Sequence, residues 1–262
     1  MKRILRPDRG PMPQTETALV TGGARRIGRA ITEALANTGF GVVIHVNRSV
    51  AEGEALAAAI RSHGGRAAVV VADLAEPAAV DGLIAAARAA LGPLSLLVNN
   101  ASEFEEDHLG TLTRDRWNRQ FRVNLQTPSF LAQDFAAQAP DGAAIVNIVD
   151  QRVFKPTPQF YSYTLTKIAL QAATKTMAQA LAPRIRVNAV APGPTFANIR
   201  QDKADFERQA ASTLLGVPST PEAIAEAVVY LARAGAVTGA TIAVDSGQHL
   251  AWKTADVWGI KE

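Results

Sequence analysis

Tyr163 and Lys167 form the residue pair with the clearest chemical potential in this chain. They lie four residues apart in a segment of helical spacing, so a phenol and an ammonium share one face of the predicted helix. A nearby ammonium favours the phenolate, and the pair predicts that the pKa of Tyr163 is lowered toward the range of a proton donor. An apolar run before Asp150 predicts a buried strand that ends in a carboxylate. Residues 145–170 therefore predict an acid–base site, although a Tyr-x-x-x-Lys pair alone also occurs on ordinary amphipathic helices.

A strand, a glycine turn and a helix follow one another near the N-terminus, and this order predicts a phosphate site. Residues 17–21 are of β type, the turn spans residues 21–28, and helical spacing begins near Ile27. Backbone N–H groups and the positive end of the helix dipole converge in such a turn. Gly22 permits the tight turn, and Gly28 permits close approach of the helix. A glycine turn alone is weak support, but the strand and helix on either side strengthen it.

The end of the second predicted strand, residues 41–46, favours NADP over NAD. In NAD-binding proteins an acidic residue at this place bonds the ribose hydroxyls, but this chain continues as Asn47-Arg48-Ser49. Arg48 can pair with a 2′-phosphate, and Ser49 can donate to it while starting the next helix. Arg26 in the glycine turn can add a second cation. The alternative is that Arg48 is a solvated loop arginine.

Strands and helices alternate along the chain, which predicts an α/β fold: a single-domain, Rossmann-type, doubly wound seven-stranded parallel sheet with helices on both faces. Ligands of such sheets bind beyond the carboxyl ends of the strands. Gly22, Arg48, Asp73, Asn99 and Asp150 all fall at such ends. Asp73, in the segment Ala72-Asp73-Leu74, can accept a hydrogen bond from an adenine amino group or cap the following helix.

Three segments outside the sheet carry their own expectations. A long helix over residues 117–138 contains Pro128, which frees the carbonyl of Asn124 either to hold a water or merely to mark a kink. Residues 195–217 have an irregular pattern and are expected to form a small substrate lid. Thr220 and Pro221 have the preferred order for a helix start. The acids between residues 103 and 107 are expected to make the mouth of the site acidic.

Composition bounds the remaining classes of function. The chain has 262 residues and is 48% hydrophobic, which fits one large domain. Cysteine is absent, which excludes thiolate chemistry and permits the cytoplasm as the expected location. No apolar run approaches the ~20 residues that span a bilayer. The histidines are scattered without metal-ligand spacing, so no metal is expected; they are His45, His63, His108 and His249.

The basic excess of the chain lies largely at its N-terminus. The net charge is +3, and residues 1–10 contain several Lys and Arg residues. Because this segment lacks the apolar region of a secretory signal, residues 1–15 are predicted to be a disordered basic tail. A nucleic-acid arm is the alternative, but no basic stripe interleaved with aromatic residues follows, so no nucleic-acid or membrane partner is expected.

With these elements placed, residues 17–252 resemble the short-chain dehydrogenase/reductase family. The resemblance rests on the glycine turn, Asn99-Asn100-Ala101, Asn124, Tyr163-x-x-x-Lys167 and Pro192-Gly193. Two positions depart from the general pattern: Arg26 replaces a third glycine, and Asp150 replaces a catalytic serine. Together with Asn47-Arg48-Ser49 and the segment from Asn100 to Phe104, they resemble the pteridine reductase branch, which implies reduction of pterins and dihydrofolates by NADPH.

The resemblance also implies the residues of the site. The catalytic residues would be Asp150 and Tyr163 as proton donors, Lys167 on the nicotinamide ribose, and Asn124. Phe104 would stack on the pterin ring, the alternative being a core phenylalanine, and Arg26, Asp150 and Tyr163 would complete the substrate site. The resemblance implies a homotetramer as well. The implied cofactor-binding residues are Gly22, Arg26, Ile27, Gly28, Asn47, Arg48, Ser49, Asp73, Leu74, Asn100, Ala101, Ser102, Tyr163, Lys167, Pro192, Gly193 and Thr195.

The chemistry of a carboxylate at position 150 supports a nitrogen heterocycle as substrate. A carbonyl substrate gains negative charge on oxygen, which a carboxylate would repel. Reduction of a C=N bond requires a proton at nitrogen, which an Asp–Tyr pair can relay from water, and the carboxylate is expected to favour a partly cationic ring. One alternative is a carbonyl reductase acting on a ketone or 3-oxoacyl substrate, because fold does not fix substrate. A second is an inactive NADP-binding sensor or scaffold, against which Tyr163, Lys167 and Asn124 argue.

Overall fold

Seven parallel strands form one sheet in the computed structural model, which describes residues 16–197, 202–254 and 257–260. The strand order is β3-β2-β1-β4-β5-β6-β7, which confirms the predicted doubly wound sheet. The predicted basic tail at residues 1–15 and residues 198–201 of the predicted lid lie outside the described residues. The strands are β1 (Thr17–Val20), β2 (Gly41–Val46), β3 (Ala67–Val71), β4 (Leu96–Asn99), β5 (Ala143–Ile148), β6 (Ile185–Pro192) and β7 (Thr241–Val244).

Helices cover both faces of the sheet and connect its strands. Thr220 caps the last of them by accepting a hydrogen bond from the backbone N–H of Ala223 at 3.1 Å, so the predicted helix start is confirmed. No helix within the described part of the chain has the length and apolar character needed to cross a bilayer. The helices are α1 (Arg26–Asn37), α2 (Val50–Ser62), α3 (Pro77–Asp81), α4 (Leu83–Leu91), α5 (Arg114–Phe121), α6 (Thr127–Gln138), α7 (Tyr161–Leu181), α8 (Lys203–Ala211) and α9 (Pro221–Arg233).

Two apolar cores hold the helices against the sheet. Successive strand residues point to opposite faces, so Ala18 and Val20 of β1 enter one core and Leu19 enters the other. The first core includes residues of α1, α2 and α9, and the second includes residues of α4, α6 and α7. Packing of the helices against the sheet fixes where each strand ends. The strand ends carry the polar side chains of the site.

The strand order reverses between β1 and β4. From β1 the chain builds outward through β2 and β3, then returns so that β4 pairs with the opposite side of β1. Crossovers on opposite faces leave a crevice beyond the carboxyl ends of these two strands, which is where ligands of such sheets bind. The glycine turn after β1 and Asn100 after β4 therefore share one edge.

The predicted long helix over residues 117–138 is wrong in one respect. A π-helical turn, Arg122–Gln126, separates α5 from α6, and Pro128 falls in the first turn of α6, where a missing N–H is tolerated. The π turn carries Asn124, whose side chain is 1% exposed. Single π turns within helices occur often at functional sites. The free carbonyl predicted at Asn124 stays a prediction.

The segment after β6 is more regular than its sequence pattern indicates. Residues 195–217 contain α8, whose first turn is capped by Asp202 accepting a hydrogen bond from the N–H of Asp205 at 2.7 Å. The irregular pattern expected here is therefore corrected to a short capped helix. Its role as a lid stays a prediction.

Candidate active site

Tyr163 and Asp150 meet at the carboxyl end of β5. The Tyr163 hydroxyl donates to Oδ2 of Asp150 at 3.0 Å, and the Nζ of Lys167 donates to the carbonyl of Ile148 at 2.9 Å. Lys167 Nζ lies 5.6 Å from the centre of the Tyr163 ring. The side chains of Tyr163 and Lys167 lie one turn apart on the buried face of α7, as their spacing predicts. The predicted acid–base group is thus assembled from two elements.

The pKa of Tyr163 shifts in the direction opposite to the one that the sequence predicts. Burial raises it well above its ordinary value, and the charge of Asp150 raises it further, while Arg152 lowers it. The ammonium of Lys167 packs near the ring, and burial lowers the pKa of Lys167 to about 8, an effect that the charge of Asp150 opposes. At neutral pH the phenol therefore keeps its proton and the lysine keeps its charge.

The glycine turn packs tightly against the loop after β4. Asn100 Nδ2 donates to the carbonyl of Thr21 at 2.8 Å and to that of Gly22 at 3.2 Å. Gly22 has a φ of +63°, which glycine adopts without steric cost. A Cβ at Gly28 would lie 2.1 Å from the Gly22 carbonyl oxygen. Gly22 is therefore required by the conformation of the turn, and Gly28 by the close approach of α1 to it.

Arg26, which stands where the general pattern has a third glycine, has a left-handed backbone. Its φ is +52°, a conformation that costs a non-glycine residue roughly 1–2 kcal/mol. Its guanidinium carbon lies 4.9 Å from the centre of the Phe196 ring. Arg26 and Phe196 thus bring together the glycine turn and the segment after β6.

His45 holds the glycine turn through a hydrogen bond to its backbone, a role that was not predicted from the sequence. This side chain on β2 is 2% exposed. Its Nδ1 accepts from the N–H of Gly22 at 3.1 Å, and Nε2 lies 3.1 Å from the Ala72 carbonyl, to which it donates in the tautomer that the first bond requires. Burial lowers the pKa of His45 to about 4. A neutral histidine therefore links the turn after β1 to the end of β3.

Replacing His45 by glutamine is expected to make the free energy of unfolding depend less on pH under acidic conditions. The ordinary pKa of 6.5 falls to about 4 on folding, so between these values the unfolded chain binds a proton that the folded chain excludes. The free energy of unfolding should fall as pH decreases through this window, by up to about 3 kcal/mol. Urea unfolding of wild type and His45→Gln across the window measures the difference. His63→Gln, at an exposed histidine, should keep the wild-type slope, and an unchanged slope for His45→Gln would contradict the assignment.

The residues predicted to bind the adenosine part of NADP lie at the ends of β2 and β3. Arg48 is exposed and makes no hydrogen bond or ion pair with the part of the chain that the structure describes. Ser49 directly precedes α2 but makes no capping bond with its hydroxyl. Asp73 accepts from the N–H of Ala75 at 2.9 Å, whereas Glu76 precedes α3. The helix-capping alternative for Asp73 is therefore wrong, because its carboxylate stabilises the turn before that helix.

Asn124 connects the loop after β4 to α7. Its Oδ1 accepts from the N–H of Glu103 at 2.8 Å and from the Ser102 hydroxyl at 3.1 Å. Its Nδ2 donates to the Glu103 carbonyl at 2.9 Å and to the Thr166 hydroxyl at 3.2 Å. All four contacts use the side chain, so the π turn positions the loop that leads to Phe104.

The expected acidic mouth is smaller than predicted, because Asp107 is 1% exposed. Its carboxylate accepts from the N–H of Ser162 at 2.9 Å and from the Ser162 hydroxyl, and its carbonyl accepts from the N–H of Tyr161 at 3.0 Å. Gln120 Nε2 donates to the Ser162 hydroxyl at 2.7 Å. Asp107 therefore caps the start of α7 from the neighbouring loop.

Phe104 stands beside the acid–base pair. Its ring stacks on Phe160 with centroids 4.4 Å apart and an interplanar angle of 6°, and it meets the Tyr163 ring edge-on at 4.7 Å. Phe160 has a φ of +55° and directly precedes α7. One face of Phe104 is thus covered by Phe160, and a ligand ring would have to use the other. Stacking on a ligand stays a prediction.

A cleft of about 1060 Å³ joins these features. Within the described residues, no group of three or more His, Cys, Asp or Glu side chains is placed to hold a metal. Of the predicted site residues, the lining excludes Asn47, Arg48, Asp73, Leu74 and Asn124. Phe196, from the predicted lid, also lines the cleft, and so do residues to which the sequence analysis gave no role, among them Arg25, Gln151, Arg152, Phe160 and Gln248. The predicted residues that line it are Gly22, Arg26, Ile27, Gly28, Ser49, Asn100, Ala101, Ser102, Phe104, Asp150, Tyr163, Lys167, Pro192, Gly193 and Thr195.

Comparison with known proteins places the chain among reductases. Residues 22–249 match the family described as enoyl-(acyl carrier protein) reductase. The crystal structure of FolM alternative dihydrofolate reductase 1 from Brucella canis, complexed with NADP, is 52% identical with a TM-score of 0.90, and the match covers 92% of this chain and 97% of that chain. Pteridine reductase 1 from Leishmania tarentolae is 32% identical over 91% of this chain and 98% of its own length. Granaticin polyketide synthase putative ketoacyl reductase 2 from Streptomyces violaceoruber is 33% identical, again over 91% of this chain and 98% of its own length.

Proposed function

Because the chain belongs to the short-chain dehydrogenase/reductase family and is an NADP-dependent oxidoreductase, we propose that it reduces a C=N bond of a pterin or dihydrofolate-type substrate. The observation that carries the proposal is the hydrogen bond from the Tyr163 hydroxyl to Asp150. A carboxylate beside the proton donor suits protonation of a ring nitrogen and opposes charge on a carbonyl oxygen. The resemblance to proteins named for dihydrofolate and pteridine reduction supports the same substrate class.

Gly28 and Gly193 line the cleft at points where the backbone packs so closely that no side chain fits. A Cβ at Gly28 would meet the Gly22 carbonyl, and a Cβ at Gly193 would lie 2.6 Å from the Cα of Asp245. Gly28 lies in the first turn of α1, whose N-terminal N–H groups can hold phosphate, and Gly193 lines the cleft next to Pro192. NADPH supplies the hydride when bound. Lys167 would hold the nicotinamide ribose, because this residue lines the cleft one turn from Tyr163.

Proton delivery follows from the Asp150–Tyr163 pair. The Asp150 side chain is 17% exposed, so its carboxylate can exchange protons with water in the cleft. Tyr163 is 6% exposed and keeps its proton, because burial raises its pKa. Tyr163 can donate this proton to a substrate nitrogen and recover one through Asp150, a relay within direct hydrogen-bond reach.

Oxidation of NADPH, followed by its absorbance, tests the proposed substrate class. We expect turnover with a dihydropteridine or dihydrofolate and little turnover with simple ketones or 3-oxoacyl thioesters. Good turnover of ketones without turnover of any pteridine would overturn the proposal. It would instead support the carbonyl reductase, which the similarity to a putative ketoacyl reductase favours. Binding of NADPH without turnover of either class would support a sensor or scaffold.

Replacing Arg48 by aspartate is expected to reduce the preference for NADPH over NADH by about 10- to 100-fold, the range of one lost charge-assisted hydrogen bond. Arg48 is exposed at the end of β2 and available to a 2′-phosphate, which the introduced carboxylate would repel. The ratio of kcat/KM for the two cofactors measures the effect. Arg48→Gln separates loss of the cation from repulsion, and an unchanged ratio in both variants would assign the 2′-phosphate to another cation such as Arg25.

We also propose a homotetrameric assembly and a cytoplasmic location. The family resemblance implies a homotetramer built on α5, α6 and α7. Phe130 of α6 is 46% exposed, which is consistent with a contact between copies. Light scattering of the purified protein tests this, and a monomer would contradict it. A cytoplasmic location is proposed from the cysteine-free composition, and cell fractionation tests it.

A further inference from the structure

Arg152 lines the cleft together with Asp150. It lies in a 3₁₀ turn, Gln151–Val153, that directly follows Asp150. Its side chain is 17% exposed. The backbone N–H of Arg152 donates to Oδ1 of Asp150 at 2.9 Å, and its Nη1 lies 3.4 and 3.5 Å from the two carboxylate oxygens. The turn therefore holds the cation against the carboxylate of the proton relay.

The two stacked rings fix the guanidinium from the other side. Its central carbon lies 5.1 Å from the centre of the Phe160 ring and 5.9 Å from that of Phe104, within the range of cation–π attraction. Its Nε is buried and donates to no group among the described residues. Arg152 is thus positioned by its surroundings, while its hydrogen-bonding capacity is only partly used.

Arg152 adds a positive charge beside the carboxylate of Asp150. Asp150 alone would favour a cationic ring, but the guanidinium beside it offsets that charge, and Lys167 adds a second cation. The contacts from Nη1 to the carboxylate are long for hydrogen bonds. A guanidinium has five N–H donors and no acceptor, so its remaining donors favour an acceptor on the ligand.

We infer that Arg152 is a specificity-determining residue that selects a heterocycle with an oxo group over the same heterocycle with an amino group in its place. An oxo or lactam oxygen can accept from the guanidinium. An amino group offers donors and raises the basicity of the ring, so it would face a cation without a hydrogen bond. The inference rests on the proposed function, because it specifies which nitrogen heterocycle the site takes.

The test compares two ligands with the same ring skeleton, a 2-amino-4-oxopteridine and a 2,4-diaminopteridine. Their dissociation constants are measured by calorimetry on the enzyme saturated with NADP. Arg152→Gln is expected to weaken the oxo ligand by about 10- to 100-fold, the range of one charge-assisted hydrogen bond. The diamino ligand should bind equally well or more tightly. Arg29→Gln is the matched control, because Arg29 pairs with Glu33 on α1 at 2.8 Å and does not line the cleft.

The ratio of the two dissociation constants decides the outcome. Equal weakening of both ligands, or no change in either, would overturn the inference. Arg152→Lys keeps the charge without the planar fork and should lose only part of the preference, which gives a second test if Arg152→Gln folds poorly. If wild type reduces dihydropteridines but the ratio is unchanged in both variants, the inference alone fails. If wild type neither binds nor reduces any pteridine, the proposed function fails and the inference fails with it.

Discussion

Replacing Asp150 by serine is expected to lower turnover of a dihydropteridine by at least roughly 100-fold, the lower end of the contribution of general acid–base catalysis. Turnover of a simple ketone should be unchanged or higher. The carboxylate accepts a hydrogen bond from the Tyr163 hydroxyl at 3.0 Å, and its loss would break the proposed relay that returns a proton to Tyr163. Steady-state kcat/KM for both substrates, measured on the same preparation, gives the comparison.

Serine is a suitable replacement because it preserves the local fold. Asp150 caps the turn Gln151–Val153 through the N–H of Arg152, and a serine hydroxyl can make the same bond. The charge and hydrogen bond of Asp150 also raise the pKa of Tyr163, so the variant should have a lower tyrosine pKa, which suits carbonyl reduction. Asp150→Asn is the control for shape without charge. Equal losses on both substrates in Asp150→Ser would contradict a role specific to nitrogen heterocycles.

Replacing Gly28 by alanine is expected to weaken NADPH binding by about 100-fold, which corresponds to the upper part of the roughly 1–3 kcal/mol that overpacking costs. The added Cβ would lie 2.1 Å from the Gly22 carbonyl oxygen and 2.6 Å from Asn100 Nδ2. The first of these groups is backbone, so the turn or α1 must move. Alanine is favoured over glycine within a helix by about 1 kcal/mol, so helix propensity works against the expected loss. Fluorescence titration with NADPH measures the binding.

A second glycine provides the control for this experiment. Gly82 precedes α4, and a Cβ there would meet no atom within 4 Å, so Gly82→Ala should bind NADPH as wild type does. Thermal unfolding of both variants separates local displacement of the turn from global loss of structure. Wild-type affinity in Gly28→Ala would show that the turn tolerates displacement and would remove the steric argument.

The inner strands of the sheet could be predicted from the sequence because they are buried on both faces. Residues 17–21 and 41–46 were expected as strands, and β1 and β2 have these bounds to within one residue. Continuous apolar runs bounded by glycine or polar residues are typical of parallel strands with helices on both sides. The clustering of polar residues could be predicted from the same strands, because parallel strands present their carboxyl ends on one edge of the sheet.

The rest of the site depends on contacts that no local pattern contains. The π turn at Asn124 is stabilised by side-chain bonds to Glu103 and Thr166, which are distant in sequence. The raised pKa of Tyr163 depends on burial and on Asp150, whereas helical spacing indicated only Lys167. His45 did leave a signal, since a polar residue within the apolar run of β2 requires buried partners.

The bonds between Asp107 and the start of α7 have a mechanical consequence. They join the loop that carries Phe104 to the helix that carries Tyr163, and Asn124 ties the same loop to α7 a turn further on. This wall of the cleft should move as one rigid body. Any widening for substrate entry or product exit would then be a movement relative to the opposite wall, Gly193 to Phe196. That wall is bonded through its backbone to Val244 and Ser219, and among the described residues it forms no hydrogen bond to α7 or to the Phe104 loop. The rate of opening would be set there, at a distance from the acid–base pair.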